Sequence, residues 1–451
     1  RKTGVTKVYI ETYRDGYEVE QETLIKVRDA FRKADFAVAG CVTPTRIGKP
    51  STGSKLVSCY SDHPTQTRVE EIFQYAAAFF DELMVDDWLF TDCTCEVCDN
   101  ARRTQTVNIE GRINPVRGQS WQDYRRTLML WISRDQIIGA AKKLNPNVRL
   151  TIKYPMWYDQ FQDRGYDVVR ETAEYDKIWA GTETRDLPGG AQPYRAYFLM
   201  RWLEAIGQGK AGGGWYDPLN TTPKTYVEQA RQTVLGGARE TVLFSYGALS
   251  RQNGPADIEA LRQNIPELLE VAEQVQRRRI AGLAAYKPPH SNGGTQPYVF
   301  DYIGMLGFPL VPYYQFPEDS RAAFFPLHAR EDPEFLTKGS LYIASGRPVL
   351  ITQAMAETLD PLLVKQKNVR VLSVGGDPKS LLNLTQEELD PIRDAMLAPF
   401  KTKFHAPSRV GLYLFTDGSY VIENFRDEAV TVELNGASLQ VPARGWTKRW
   451  K

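Results

Sequence analysis

The sequence lacks several features that would assign a class of protein at once. Among its 451 residues, basic and acidic side chains nearly cancel, 56 against 55, so there is neither the basic surface typical of nucleic-acid binding nor an acidic tail. No apolar run approaches the roughly 20 residues that a membrane-spanning helix needs. The first residues, RKTGVTKVYIETYRDG, do not have the pattern of a signal peptide. Composition predicts a globular protein with no nucleic-acid partner and no membrane span.

Motifs that bind organic cofactors or phosphate are also missing. The four histidines, at 63, 290, 328 and 405, are scattered and form neither a metal-binding pattern nor a catalytic triad. The three glycines at 212–214 lack the Lys-Ser/Thr that follows in a phosphate-binding loop. We therefore expect no organic cofactor.

The first 250 residues alternate short β-branched or aromatic runs with longer helical patterns, which indicates parallel strands joined by crossover helices. Seven predicted strands, including one at WLFTD (88–92), end in polar or aromatic residues: Glu11, Thr43, Asp92, Trp157, Glu183, Asp217 and Tyr246. An open doubly wound sheet is possible. A (β/α)8 barrel explains these endings better, because barrel chemistry sits at the carboxyl ends of the strands. Its first strand is expected before residue 1 or is missing.

The pattern changes after residue 278. A second α/β unit follows, and from about 405 the sequence alternates at period two, with the turn dipeptides Asp417-Gly418 and Asn435-Gly436, as in an antiparallel meander. We predict three domains, at 1–278, 279–402 and 403–451.

Three of the five cysteines lie in CTCEVC, residues 93–98. A disulfide scaffold would spread its cysteines more widely, and a redox pair needs a thioredoxin-like context that is absent. Metal binding is the better interpretation. Cys41, inside a predicted strand, is expected to be a packed core thiol.

Several segments, among them GVTKVYIETYR, FAVAGCVTPT, CTCEVC and DYIGMLGFPL, resemble in order those of the microbial β-galactosidases of glycoside hydrolase family 42. The resemblance implies a TIM-type barrel, a flavodoxin-like (glutamine-amidotransferase-like) α/β domain that mediates trimer contacts, and a small carboxyl-terminal β domain. It also implies a structural Zn²⁺ held by Cys59, Cys93, Cys95 and Cys98, and four thiolates can close a tetrahedral zinc site. Reduced thiols favour the cytoplasm over secretion.

The sequence departs from this family at the catalytic carboxylates. The family has Asn-Glu after strand four and a glutamate nucleophile after strand seven, whereas this chain has Asp92 in FTDC and Asp217 in GGWYDP. A second pairing, Asp92 with Glu183, is similar to that of α-galactosidase-like barrels. Asp92 is needed in both schemes, and hydrolysis of a glycosidic bond normally needs two carboxyl groups.

Each carboxylate also has a structural alternative. Asp92 could brace the metal loop, Glu183 could form an ion pair with Arg185 or Arg14, and Asp217 could be a turn residue before Pro218. Aromatic and charged residues at the strand ends are candidates for substrate binding: Glu11, Arg14, Tyr154, Trp157, Arg185, Trp215 and Tyr216.

We predict an exo-acting, retaining glycoside hydrolase with a saccharide substrate, first of all a galactoside, and a homo-oligomeric, trimeric assembly. The alternative from another class is a non-catalytic carbohydrate-binding or degenerate barrel, which the loss of the Asn-Glu pair favours. A purely structural trimeric scaffold is a third possibility.

Overall fold

The computed structural model describes residues 3–187, 189–251 and 254–451, which form two compact units. Among these residues, unit 1 comprises 3–180 and 206–212, and unit 2 comprises 181–187, 189–205, 213–251 and 254–451. The boundaries fall inside three elements, each of which is assigned below to the unit that holds most of its residues.

Unit 1 is an alternation of strands and helices. Its strands are β1 Lys7–Arg14, β2 Tyr17–Glu18, β3 Ala37–Val42, β4 Glu82–Val85, β5 Thr106–Ile109, β6 Arg112–Pro115, β7 Arg149–Tyr154 and β8 Lys177–Gly181. Its helices are α1 Gln21–Lys33, α2 His63–Ala77, α3 Glu96–Arg103, α4 Trp121–Trp131, α5 Ala140–Leu144, α6 Phe161–Arg164 and α7 Arg170–Glu174, with a π-helical stretch, Ile132–Gly139, between α4 and α5.

The main sheet of unit 1 is curled. Its strands are ordered β2-β1-β3-β4-β7-β8, and every pair from β1 to β8 is parallel. In a flat sheet β1 and β8 would lie about 19 Å apart, since neighbouring strands are about 4.8 Å apart. Yet the rings of Tyr9 on β1 and Trp179 on β8 have centroids only 5.8 Å apart. The predicted α/β class is thus confirmed, and the parallel sheet forms a half-barrel.

Local sequence accounts for the position of α2. Asp62 caps its first turn by accepting a hydrogen bond from the amide of Thr65 at 3.1 Å. The apolar residues at helical spacing, Val69, Ile72 and Phe73, are all buried. This face packs towards the sheet as the periodicity predicts.

The strand predicted at WLFTD was wrong. The strand is Glu82–Val85, and Trp88–Asp92 is a turn followed by a loop. Because these four residues closely follow α2, their apolar side chains continue its helical spacing. The sequence pattern therefore did not indicate a separate strand. Asp86 and Asp87 therefore directly follow strand four, and Asp92 lies in the loop beyond.

Unit 2 holds the remaining elements. Its strands are β9 Ala211–Tyr216, β10 Glu240–Leu243, β11 Ile280–Ala281, β12 Leu283–Tyr286, β13 Leu310–Tyr313, β14 Ala323–Phe325, β15 Val349–Thr352, β16 Val369–Leu372, β17 Phe404–His405, β18 Val410–Phe415, β19 Tyr420–Asn424, β20 Val430–Leu434, β21 Ala437–Val441 and β22 Gly445–Arg449. Its helices are α8 Tyr194–Gly207, α9 Pro223–Leu235, α10 Tyr246–Leu249, α11 Gly254–Gln276, α12 Val299–Met305, α13 Phe335–Ala344, α14 Gln353–Ala356, α15 Pro361–Val364 and α16 Gln386–Leu397.

Within unit 2, β9 and β10 pair in parallel, and β12 to β16 form a five-stranded parallel sheet in the order β13-β12-β14-β15-β16. Numbered along this sheet, the order is 2-1-3-4-5, so the chain reverses direction across the sheet between its first and third strands. Phe325, Phe335 and Ile351 are among the buried residues of its core.

The carboxyl-terminal strands are antiparallel, as the period-two alternation predicts. They form the sheets β11-β18-β19-β22 and β17-β20-β21. Asn435 and Gly436, between β20 and β21, both have positive φ, the backbone of a type I′ hairpin turn. The division into three domains at 278 and 402 stays a prediction. Among the described residues, no helix is both long enough and apolar enough to cross a membrane.

Candidate active site and metal site

A continuous set of polar contacts crosses the carboxyl ends of four neighbouring strands in unit 1. We call it the strand-end cluster; its members are Glu11, Arg14, Thr43, Asp86, Asp87 and Lys153. Arg14 donates to Glu11 at 2.8 Å, and the hydroxyl of Thr43 lies within hydrogen-bonding distance of both Glu11 and Asp86, the latter at 3.0 Å. Lys153 forms an ion pair with Asp86, and its Nζ lies 3.9 Å from Asp87. Residues from β1, β3, β4 and β7 thus meet at one end of the sheet.

The strand-end cluster lies on the concave side of the sheet. Lys153 pairs in register with Trp179, so the two side chains point to the same face. That face is the concave one, because Trp179 contacts Tyr9 across the curl. Active sites of barrel enzymes form at this position, at the carboxyl ends of the strands on the inner side.

The two adjacent aspartates differ in electrostatic environment. Burial alone raises the pKa of Asp86, but the charges of Lys153 and Arg14 lower it overall, and its carboxylate is ionised. Burial and the neighbouring charge of Asp86 raise the pKa of Asp87 to about 7. The side chain of Asp86 is 5% exposed and that of Asp87 17%, so Asp87 is the one that can reach a ligand. Acid and base roles are commonly divided between carboxyl groups whose pKa values are separated in this way.

Aromatic side chains flank these aspartates. Trp88 stacks on Phe90 with ring centroids 5.9 Å apart, and Phe90 meets the edge of Trp157 at 5.5 Å. Trp88 and Trp157 are half-buried, so part of each ring remains open to solvent. Tyr154, another predicted substrate-binding residue, is fully buried and its hydroxyl lies 3.1 Å from that of Thr172, which places it in the core.

Asp92 is held in the loop that precedes the cysteines. Ser51 donates to one of its carboxylate oxygens, and the other accepts from the amide of Ser54 at 3.0 Å and from Arg164 at 3.1 Å. A Cβ atom on Gly53 would lie 2.5 Å from this carboxyl group, so only glycine fits there. Both oxygens are engaged, the arrangement expected of a group that braces a loop.

Unit 2 contains the other predicted carboxylates. Asp217 follows β9, is 1% exposed, and accepts two hydrogen bonds from Arg185, at 3.2 and 2.5 Å, and one from the amide of Leu219. Arg185 is therefore the partner of Asp217. Glu183 lies two residues beyond β8 and is buried. Trp215 and Tyr216, on β9, are also buried, and Tyr216 packs edge-on against Tyr226.

Four cysteine sulfurs gather in unit 1; this cysteine cluster is Cys59, Cys93, Cys95 and Cys98. All four sulfurs lie within 4.8 Å of one another, and three of the separations are 3.6–3.7 Å. Four thiolates bound tetrahedrally to zinc at about 2.3 Å would have sulfurs about 3.8 Å apart. The donor set and its spacing fit a structural Zn²⁺, with no ligand position left for a reacting molecule. Cys41 lies outside the cluster, on β3, and burial raises the pKa of its thiol well above the ordinary value.

The sequence analysis missed Asp86, Asp87 and Lys153. Thr43 was noted only as a strand end. The paired aspartates in VDDW were a usable signal, because they directly follow an apolar run that is preceded by a helix. A lysine inside the buried strand RLTIKY was a second signal, since a buried lysine needs a carboxylate partner.

Comparison with known proteins places the chain in a family. The family model of the probable glycosyl hydrolase catalytic domain matches residues 1–279, and the chain belongs to that family. An uncharacterized protein of Saccharolobus solfataricus is 26% identical over 332 residues, which cover 69% of this chain and 55% of that protein. The chain thus spans about half the length of this curated relative.

A solved structure shares the fold. The apo exo-carrageenase of glycoside hydrolase family 42 from Bacteroides ovatus superposes with a TM-score of 0.56 at 10% sequence identity, covering 98% of this chain and 79% of the other. The resemblance to family 42 is thus confirmed as a likeness of fold.

Proposed function

We propose that the protein is a glycoside hydrolase whose proton donor is Asp87. One observation carries the proposal: two adjacent aspartates at the end of β4, on the concave side of the sheet, have pKa values shifted in opposite directions. A carboxylic acid that keeps its proton near pH 7 can protonate the leaving oxygen of a glycoside. Membership of a glycosyl hydrolase family supports the same reaction class.

The cluster supplies what the proton transfer requires. Asp87 in its acid form donates to the glycosidic oxygen, and the ammonium of Lys153, 3.9 Å away, stabilises the carboxylate that remains. Asp86 keeps Lys153 in place through their ion pair. Trp88 and Trp157 offer half-buried ring faces on which a sugar can stack.

We propose that the second catalytic carboxyl group is one of the three acids named from the sequence: Glu183, Asp217 and Asp92. Asp217 has the family's nucleophile position at the end of β9, and its two hydrogen bonds from Arg185 orient its carboxylate. Asp92 has both oxygens engaged and is the weakest of the three candidates. We also propose that the enzyme retains the anomeric configuration, acts on chain ends and prefers galactosides.

The resemblance to family 42 also suggests properties beyond the reaction. We propose a closed (β/α)8 barrel, a flavodoxin-like role for the sheet β12–β16 in a trimer, and Zn²⁺ in the cysteine cluster. The 2-1-3-4-5 strand order supports the flavodoxin-like assignment. A cytoplasmic location, where the thiols stay reduced, is part of the same proposal.

The proposal is tested with purified protein, a panel of aryl and alkyl glycosides, and the variant Asp87→Asn. We expect kcat/KM on alkyl glycosides to fall by about 10²- to 10⁴-fold, the usual contribution of a general acid. Aryl glycosides with good leaving groups should lose less. The fall of wild-type activity above about pH 7 should disappear. Asp35→Asn, an exposed aspartate with the same change of charge, is the control.

Two outcomes would contradict parts of the proposal, and a further experiment identifies the second carboxyl group. Unchanged activity of Asp87→Asn on alkyl glycosides would remove Asp87 from the reaction. If no glycoside is turned over while sugars still raise the melting temperature, the non-catalytic carbohydrate-binding alternative holds. Azide identifies the partner in a retaining enzyme, because a variant lacking its nucleophile forms a glycosyl azide of inverted configuration, and one lacking its acid/base forms the retained product.

A further inference from the structure

A cavity of about 800 Å³ opens at the carboxyl edge of the five-stranded sheet in unit 2. Its walls come from the segments that follow β12, β13 and β14, including Tyr286, Tyr313 and Asp332. These are the first, second and third strands of the 2-1-3-4-5 order, so the cavity lies where that order reverses. Open α/β sheets bind their ligands at this point, and the volume is within the usual range of ligand pockets.

The loop between β13 and β14 is rigid. Turns close at Phe316–Glu318 and Pro317–Ser320, with hydrogen bonds of 3.0 and 3.2 Å. Tyr342 donates to the carbonyl of Ser320 at 3.0 Å, and Arg347 donates to the same carbonyl and to that of Glu318. The cavity is therefore formed before a ligand arrives, which lowers the entropic cost of binding.

Aromatic rings line the cavity from the side of the core. Phe316 packs edge-on against Tyr286 at 5.4 Å and stacks on Phe325 at 5.6 Å, so both lining rings are anchored in the core. Tyr313 is 37% exposed and Tyr314 is half-buried, and both border the cavity. Phe316 and Tyr286 thus form a packed aromatic wall, and the exposed Tyr313 at the border is an aromatic residue of the kind that stacks against the apolar face of a sugar.

The charge of the lining selects against anions. Four carboxylates border the cavity, at Glu318, Asp319, Glu331 and Asp332, against the single ammonium of Lys338. Lys338 is itself paired with Glu334 at 2.8 Å. Asp332 is oriented by Tyr286, which donates to it at 2.7 Å, and by the amide of Glu334 at 2.9 Å. Carboxylates oriented in this way accept hydrogen bonds from hydroxyl groups and repel phosphates, sulfates and uronic acids.

We infer that the cavity at this sheet edge is a second, non-catalytic binding site for a neutral oligosaccharide. Stacking on Tyr313 and hydrogen bonds from sugar hydroxyls to the carboxylates provide the recognition. The inference does not depend on hydrolysis by the strand-end cluster, because it rests on residues of unit 2 alone.

The test is isothermal titration calorimetry on the full chain with neutral tetrasaccharides of galactose, glucose and xylose, a sulfated galactan tetrasaccharide, and spermine. All titrations use the Asp87→Asn background to prevent turnover. We expect at least one neutral tetrasaccharide to bind, and Tyr313→Ala to weaken that binding about tenfold or more, the effect of removing an aromatic anchor. Glu331→Gln, a smaller change in the same lining, should weaken it less. Leu341→Ala, an exposed apolar residue of α13 outside the cavity, should leave it unchanged.

Two results overturn the inference. In the first, Tyr313→Ala changes the affinity for none of the neutral tetrasaccharides. In the second, Tyr313→Ala weakens the binding of spermine or of the sulfated tetrasaccharide only. Hydrolysis of an aryl glycoside by Tyr313→Ala in the otherwise wild-type chain should stay normal. This assay separates a failure of the binding site from a failure of the proposed catalysis.

Discussion

Two carboxylate environments close together in the sequence are built differently. In the strand-end cluster, Asp86 forms the ion pair with Lys153, and burial together with the charge of Asp86 leaves Asp87 protonated near neutral pH with part of its side chain exposed. Asp92, in the loop beyond, has each oxygen engaged by Ser51, Ser54 or Arg164. The difference teaches how charge compensation separates two carboxyl groups: that of Asp87 is under-compensated and keeps its proton, as the proposed proton donor must, whereas both oxygens of Asp92 are engaged in its loop.

The largest expected effect concerns the metal that the loop of Asp92 would support. Cys98→Ala should abolish binding of about one zinc per chain and cost more than about 4 kcal/mol, the scale of a lost structural metal. Zinc content by mass spectrometry and the free energy of unfolding by denaturant check this. Cys41→Ala, which removes a thiol outside the cysteine cluster, should keep the zinc and cost about 1 kcal/mol. Equal zinc contents in the two variants would show that the cysteine cluster is not a metal site.

The next prediction distinguishes a structural role of Asp92, which holds its loop, from a catalytic role. Asp92→Asn should lower the free energy of unfolding by about 1–3 kcal/mol, because hydrogen bonds from Arg164 and Ser51 lose a charged acceptor. Its kcat should stay within about threefold of wild type, whereas a lost nucleophile would cost about 10³-fold or more. Glu18→Gln, which breaks the more exposed pair with Arg68, should cost less than about 1 kcal/mol. A collapse of kcat without loss of stability would restore Asp92 to the catalytic role predicted from the sequence.

The sequence predicted most of the fold because each signal was local. Alternating strands and helices indicated the parallel sheet, and period-two alternation with Asn435-Gly436 indicated the final hairpin. The cysteine cluster was also predictable, since three of its cysteines lie in one short motif and the fourth precedes a helix.

The electrostatics of the site could not be predicted in the same way. The raised pKa of Asp87 depends on burial and on the charge of Asp86, which stays ionised because Lys153, on a different strand, comes close only when β4 and β7 pair. Strand four was predicted too far along the chain, at residues 88–92. A buried strand of only four residues beside a helix has no hydrophobic periodicity that distinguishes it from the helix. The same error made Asp92 the leading candidate. Contacts between distant segments, rather than local pattern, distinguish Asp87 from Asp92.

A smaller effect concerns stability against pH at the two aspartates. The pKa of Asp87 is raised in the folded state, so its contribution to stability is complete below its ordinary value of 3.8 and is lost as pH rises through about 7. The asparagine of Asp87→Asn cannot ionise. The melting temperature of this variant, measured relative to that of wild type, should therefore rise by a few degrees between pH 5 and pH 8.

Asp86→Asn is the matched control of opposite sign. Because the pKa of Asp86 is lowered in the folded state, its charge contributes stability that is fully present above the ordinary value of 3.8 and is lost as pH falls through the lowered pKa, so the variant should be less stable than wild type at pH 7. Thermal unfolding at four pH values compares the two. If the melting temperatures of both variants shift in the same direction relative to wild type, the pKa values of Asp86 and Asp87 are not shifted in opposite directions as described.

The smallest effect concerns the aromatic residues beside Asp87. Trp157→Ala should raise KM about tenfold and leave kcat nearly unchanged, because a stacking ring binds the substrate and its transition state alike. Tyr154→Phe should leave KM unchanged and cost about 1 kcal/mol of stability, since Tyr154 is buried and loses only its hydrogen bond with Thr172. Steady-state kinetics and denaturant unfolding of both variants decide the matter. Should Tyr154→Phe raise KM as Trp157→Ala does, the substrate reaches deeper into the sheet than the strand-end cluster, and the proton donor must be sought there.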